Sequence, residues 1–153
     1  MKRVLVLSLL AFFPLMSACS PHPPADPLVA GVLSDNIGQH SMAQDFFEEA
    51  ANNGDPRGAY RLGERAEKGI GGKKNMAAAV RWYREAQKLG YPQADFKLGV
   101  LYIEGKGVPK DAGMAAEHFS RAAKGGSPYG AIYMSMLCLD GNGVEKDSVQ
   151  AYL

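Results

Sequence analysis

The chain is poor in cysteine. Two residues, Cys19 and Cys138, in a total of 153 are too few for a disulfide scaffold. It has no surplus of either charge: Lys plus Arg is 17 and Asp plus Glu is 16. The basic excess that binds a phosphate backbone is therefore missing, and no nucleic acid is expected as a partner. The apolar run Val4 to Met16 is interrupted by Ser8 and Pro14 and falls short of the roughly 20 residues of a membrane-spanning helix. Gly-x-Ser-x-Gly, His-Glu-x-x-His and Ser-x-x-Lys are all absent, Ser120 and Lys124 standing one residue too far apart. No catalytic set, cofactor or metal site is expected. What is present is a globular balance, 46% hydrophobic against 22% charged, which excludes wholesale disorder.

The first residues read as an address. Met1-Lys2-Arg3 precedes the apolar run, giving the charged and hydrophobic regions of a secretory signal. Leu15-Met16-Ser17-Ala18-Cys19 follows. Small residues at 17 and 18 admit the backbone to a peptidase cleft, and Cys19 supplies a thiol. The stretch resembles a bacterial lipobox, with Met16 where Leu or Val is usual. The resemblance implies a signal peptide over 1–18 and lipidation of Cys19. Two or more acyl chains, at about 0.8 kcal/mol per buried methylene, make such an anchor effectively permanent. Ser20 after the Cys implies, by the rule of enteric bacteria, the periplasmic face of the outer membrane. Loss of Lys2 and Arg3 with the signal leaves a nearly neutral mature chain.

Residues 19–27 hold Pro21, Pro23, Pro24 and Pro27, the composition of an extended tether. Residues 28–53 read as a capping segment with a helix-B-like half repeat. Beyond it the chain repeats at 36 residues: Gly54, Gly90 and Gly126; Pro56, Pro92 and Pro128; Leu62, Leu98 and Met134; Gly69, Gly105 and Gly141; Ala43, Ala79, Ala115 and Ala151. The units are 54–89, 90–125 and a truncated 126–153. A period of this size signals a solenoid, in which neighbours bury the face that no single unit can hide.

Each unit reads as two helices. Helix A starts at a Gly-x-Pro step, with Asp55 or Ser127 as the cap and Pro in the first turn; Tyr91 is a poor cap. Helix A runs over about 57–67, 93–103 and 129–139 and stops at Gly69, Gly105 and Gly141. Asn75, Asp111 and Asp147 cap helix B. Helix B carries the i, i+3, i+4, i+7 sets Ala79, Trp82, Tyr83, Ala86 and Ala115, His118, Phe119, Ala122. Small residues on helix A, Gly58, Ala94 and Gly130, then Gly63, Gly99 and Ser135, predict close backbone approach.

Residues 94–111, with Ala115-Ala116-Glu117-His118-Phe119 and Ala122-Ala123 after them, resemble the Sel-one-like repeat, a relative of the tetratricopeptide repeat. The likeness extends over about 41–153. Gly72 replaces the usual Val of the first unit, and Ser135 replaces Gly in the third. The resemblance implies an all-α, α/α helical-repeat solenoid, a right-handed superhelix of antiparallel helix pairs. It implies a scaffold or accessory subunit that mediates protein–protein interaction in the bacterial cell envelope. The alternative is a peptidoglycan-active or β-lactam-hydrolysing relative; the relatives associated with β-lactams carry paired cysteines in each repeat, and this chain does not.

The outward columns of helix A are the candidate partner-binding residues. Arg57, Arg61 and Arg65, at i, i+4 and i+8, form one stripe. The same columns hold Gln93, Lys97 and Leu101, then Tyr129, Tyr133 and Leu137. The expectation is a groove grading from basic to aromatic, suited to an extended or acidic segment. Ile132, Met136 and Leu139, with Tyr152 and Leu153, mark an open C-terminal end suited to self-association. Cys138 and His118 read as core residues.

Overall fold

The computed structural model describes residues 26–139, with the side chains of 138 and 139 left aside. The lipobox with Cys19, the tether up to residue 25, the Cys138 thiol, Asp147 and the segment ending in Tyr152 and Leu153 lie outside the described residues.

Seven helices and no strand occur among them: α1 (Pro27–Asn36), α2 (His40–Asn52), α3 (Pro56–Lys68), α4 (Met76–Lys88), α5 (Pro92–Glu104), α6 (Ala112–Lys124) and α7 (Pro128–Leu139). The protein is an all-α helical repeat. The main contacts join consecutive helices, the one-dimensional packing of a solenoid. Helices α1, α3, α5 and α7 take the helix-A role, and α2, α4 and α6 the helix-B role.

Local chemistry explains the boundaries. The side chains of Asp55, Asn75 and Asp111 accept from the backbone N–H groups of Arg57, Ala78 and Met114 at 2.9, 3.0 and 3.0 Å. Each satisfies a donor that the first helical turn leaves unpaired. Tyr91 makes no such bond. Gly69 and Gly105 end α3 and α5 at φ 77° and 66°, the left-handed region that favours glycine. Ser127 departs from the expected cap. It is 3% exposed, and its hydroxyl has no partner among the described residues; the start of α7 is held instead by the Gly130 N–H donating to the Ser127 carbonyl at 3.2 Å.

One steric contact recurs in each pair. A Cβ on Gly63 would stand 2.6 Å from the Tyr83 ring, and one on Gly99 2.6 Å from the Phe119 ring. Helix A needs glycine there because the helix-B aromatic lies directly on its backbone. Tyr83 and Phe119 are fully buried, among Ala79, Ala86, Ala115 and Ala122. The same contact shows that residues 28–53 are more than a cap with half a repeat. Gly31 of α1 meets the Phe47 ring at 2.6 Å, so α1 and α2 form a complete helix pair. Its connection spans residues 37–39, against 69–75 and 105–111 in the later pairs. The shorter loop shifts Gly31 off the 36-residue register, which conceals the pair in the sequence.

Candidate protein-interaction surface

The outward columns of α3, α5 and α7 supply the candidate surface. Arg57, Arg61, Gln93, Tyr129 and Tyr133 are exposed and Lys97 is half-buried. Arg65 is not part of this surface: it is 4% exposed. At 3.6 residues per turn, the step from Arg57 to Arg65 rotates by roughly 80° about the axis and carries the third column inward. Leu101 and Leu137, in the same column, are 1% and 8% exposed. Arg65 instead ties α3 to the first pair. Its Nη1 donates to Asp35, its Nη2 to the His40 carbonyl at 2.6 Å and its Nε to Gln44 Oε1 at 3.1 Å. Its guanidinium lies 5.8 Å from the Phe47 ring centroid.

The expected basic end of the groove is also corrected, because its cations are already partnered. Arg57 Nη2 donates to Asp55 Oδ2 at 2.7 Å, Arg61 Nη1 to Glu64 Oε2 at 2.9 Å, and Lys97 Nζ to Glu67 Oε2 at 3.2 Å. The Arg57 side chain holds the Asp55 carboxyl below its ordinary range. Burial pushes the Glu67 carboxyl up, but the Tyr83 hydroxyl, donating to it at 2.5 Å, and Lys97 outweigh that and leave it lowered. Each charge pair is local, so the first two repeats present little net field to an acidic segment.

The third repeat differs. Tyr129, Ile132 and Met136 are 60%, 54% and 53% exposed. Phe96 of α5 continues this surface, with its ring centroid 5.5 Å from Tyr129 and 5.1 Å from Tyr133. Tyr133 also packs 5.1 Å from Phe119, which fixes its ring against the core. Rigid aromatics with one open face are the side chains that dominate protein interfaces. Sequence reasoning found Tyr129 and Tyr133 but missed Phe96. Its column, Tyr60, Phe96 and Ile132, is apolar in all three repeats, and that was the available signal.

His118 is a core residue, 4% exposed, 3.0 Å from Asp95 Oδ1 and stacked on Tyr102 at 5.3 Å. Arg121 Nε and Gln87 Nε2 donate to the same Asp95 oxygen at 3.0 and 2.7 Å. Burial raises the Asp95 carboxyl, and these three partners more than reverse it. The four side chains bond to one another. Among the described residues no cluster of His, Cys, Asp and Glu is suited to a metal, and no helix is long and apolar enough to cross a membrane.

The Sel1 repeat model matches residues 36–55, 56–91, 92–127 and 128–153. This chain belongs to the Sel1 repeat family. Among solved structures, this Sel1 repeat protein is similar to a protective antigen of uropathogenic Escherichia coli with an SLR fold, at 34% identity and TM-score 0.73 over 77% of this chain and 26% of that one. It is similar to a Sel1 repeat protein of Oxalobacter formigenes at 32% identity and TM-score 0.73, over 81% of this chain and 51% of that one. It is also similar to cysteine rich protein B of Helicobacter pylori at 25% identity and TM-score 0.61, over 67% of this chain and 77% of that one. The chain thus spans about a quarter and about half of the first two. No curated protein matches. Sel1 repeat proteins generally mediate protein–protein interaction, and they are typically non-catalytic scaffolds.

Proposed function

We propose that this Sel1 repeat protein is a lipid-anchored scaffold or accessory subunit of the bacterial envelope. Its partner is another protein, seated on the face formed by α5 and α7. The observation that carries the reading is the open aromatic and aliphatic surface of Phe96, Tyr129, Ile132, Tyr133 and Met136, beside first and second repeats whose cationic columns are self-neutralised. An apolar segment therefore fits better than the acidic one that the sequence led us to expect. Address and anchor rest on the lipobox-like stretch ending at Cys19, and the outer membrane on Ser20 after it.

The test is cross-linking in intact cells followed by mass spectrometry. A defined envelope protein is expected with the parent chain, lost on Tyr129→Ala with Tyr133→Ala and kept on Arg61→Ala. Loss on Arg61→Ala alone, with the tyrosine variant unchanged, would refute the apolar face. Labelled palmitate tests the anchor: incorporation that survives Cys19→Ala refutes lipidation at that residue.

A further inference from the structure

The two grooves between successive B helices are built alike but finished differently. Between α4 and α6 the groove is sealed by Gln87, Asp95, His118 and Arg121, bonded to one another at 2.7 to 3.0 Å. Thirty-six residues earlier the same positions hold Ala51, Ala59, Trp82 and Glu85. Two small methyls replace the amide and the carboxylate, and the plug is gone. A cleft of about 400 Å³ opens between α2 and α4 beside Ala51, and a second of about 450 Å³ lies among α2, α3, the 69–75 connection and α4, both within the size range of small-molecule sites. Trp82 lines both clefts. It is half-buried, with its inner side packed on the clusters that hold Leu62 and Ala59.

The rims decide what such a groove accepts. Asn52, Arg81 and Glu85 edge the first cleft; Asp45 and Lys73 face the second. His40 also lines the second, held by Asp35 at 2.9 Å, so both rims offer hydrogen-bond donors and acceptors. Glu85 is held by Lys88 at 2.9 Å. Asn52 and Arg81 have no side-chain partner among the described residues and hold unspent donors beside an aromatic face. The buried guanidinium of Arg65 in the second cleft is fully used by Asp35, His40 and Gln44. An aromatic platform edged by hydrogen-bond donors and acceptors matches a sugar ring, which is apolar on its C–H face and polar all round its edge.

We infer that the α2–α4 groove is a binding site for an oligosaccharide, stacked on Trp82 and hydrogen-bonded by Asn52 and Arg81, on different elements from the α5–α7 protein-binding face. Both clefts border the Trp82 side chain, so a chain of two or more sugar units can contact it.

Trp82 is the only tryptophan in the chain, so indole emission of the full chain, excited beyond the tyrosine absorption band, reads this groove. Titration with cellotetraose and chitotetraose is expected to give a saturable emission change with one of them, at a Kd of about 1 mM or tighter. Asn52→Ala and Arg81→Ala, both exposed positions, are expected to weaken it about tenfold or more with helical circular dichroism unchanged. Calorimetry on Trp82→Phe is expected to lose the heat of binding. A flat titration with both sugars up to about 10 mM overturns the inference. So does a response equal in the parent and the Asn52 and Arg81 variants. A response to a proline-rich decapeptide but to neither sugar overturns it in favour of a peptide groove.

Discussion

Replacing Gly99 by alanine sets two effects of known size against each other. In a helix interior the substitution alone stabilises by about 0.5–1 kcal/mol, because glycine loses more backbone freedom on folding. The added Cβ would lie 2.6 Å from Phe119 Cε1 and 2.7 Å from Cδ1. The ring cannot swing away, since Phe119 is fully buried against Phe96 and Tyr133. Overpacking of such a core costs about 1–3 kcal/mol. The steric effect wins, and Gly99→Ala is expected to destabilise by about 1 kcal/mol, lowering Tm by about 4 °C for a domain of this size. Gly113→Ala in α6 is the control. Its Cβ would meet only Asp111 Oδ1 at 3.3 Å, so the gain in helix propensity should survive. The double variant with Phe119→Leu should show a favourable coupling, because the smaller side chain relieves the clash. Urea denaturation gives all three numbers. A Gly99→Ala protein as stable as Gly113→Ala refutes the claim that the aromatic sits on the glycine backbone.

Other expectations follow from the same contacts. Arg65→Ala strips the partner from Asp35 and Gln44 and should cost about 2–3 kcal/mol in chemical denaturation; Arg61→Ala, whose pair with Glu64 is exposed, should stay within about 0.5 kcal/mol. Ser127→Ala removes a buried hydroxyl that has no partner among the described residues and should be neutral or stabilising, whereas a true cap would lose about 1 kcal/mol; a thermal melt separates the two. Asp95, Glu67 and Asp55 all have carboxyls lowered in the folded state. Their stabilisation is complete above the ordinary carboxylate values of 3.8 and 4.5 and is lost as pH falls through the lower folded ones. Urea midpoints should therefore drop below about pH 4, and less steeply in Asp95→Asn; parallel profiles would count against Asp95.

The sequence by itself determined the repeating unit. Asp55, Asn75 and Asp111 could be read as caps, and Gly69 and Gly105 as helix stops, because those roles depend on a few neighbouring backbone atoms. The demand for a small residue at Gly63 and Gly99 also showed through, since it recurs at a fixed spacing; that a helix-B ring fills the space came from the packing. Tertiary structure decided what depends on distant partners. Arg65 belongs to the interior because Asp35 and Gln44, from the preceding pair, are there to receive it. Arg57 and Arg61 lose their outward field to Asp55 and Glu64. Ser127 is shut away without a hydroxyl partner among the described residues, and the first helix pair was hidden by a shorter loop. Spacing along a chain fixes which side of a helix a residue occupies to within a few tens of degrees; which neighbour covers that side is settled only when the helices stack.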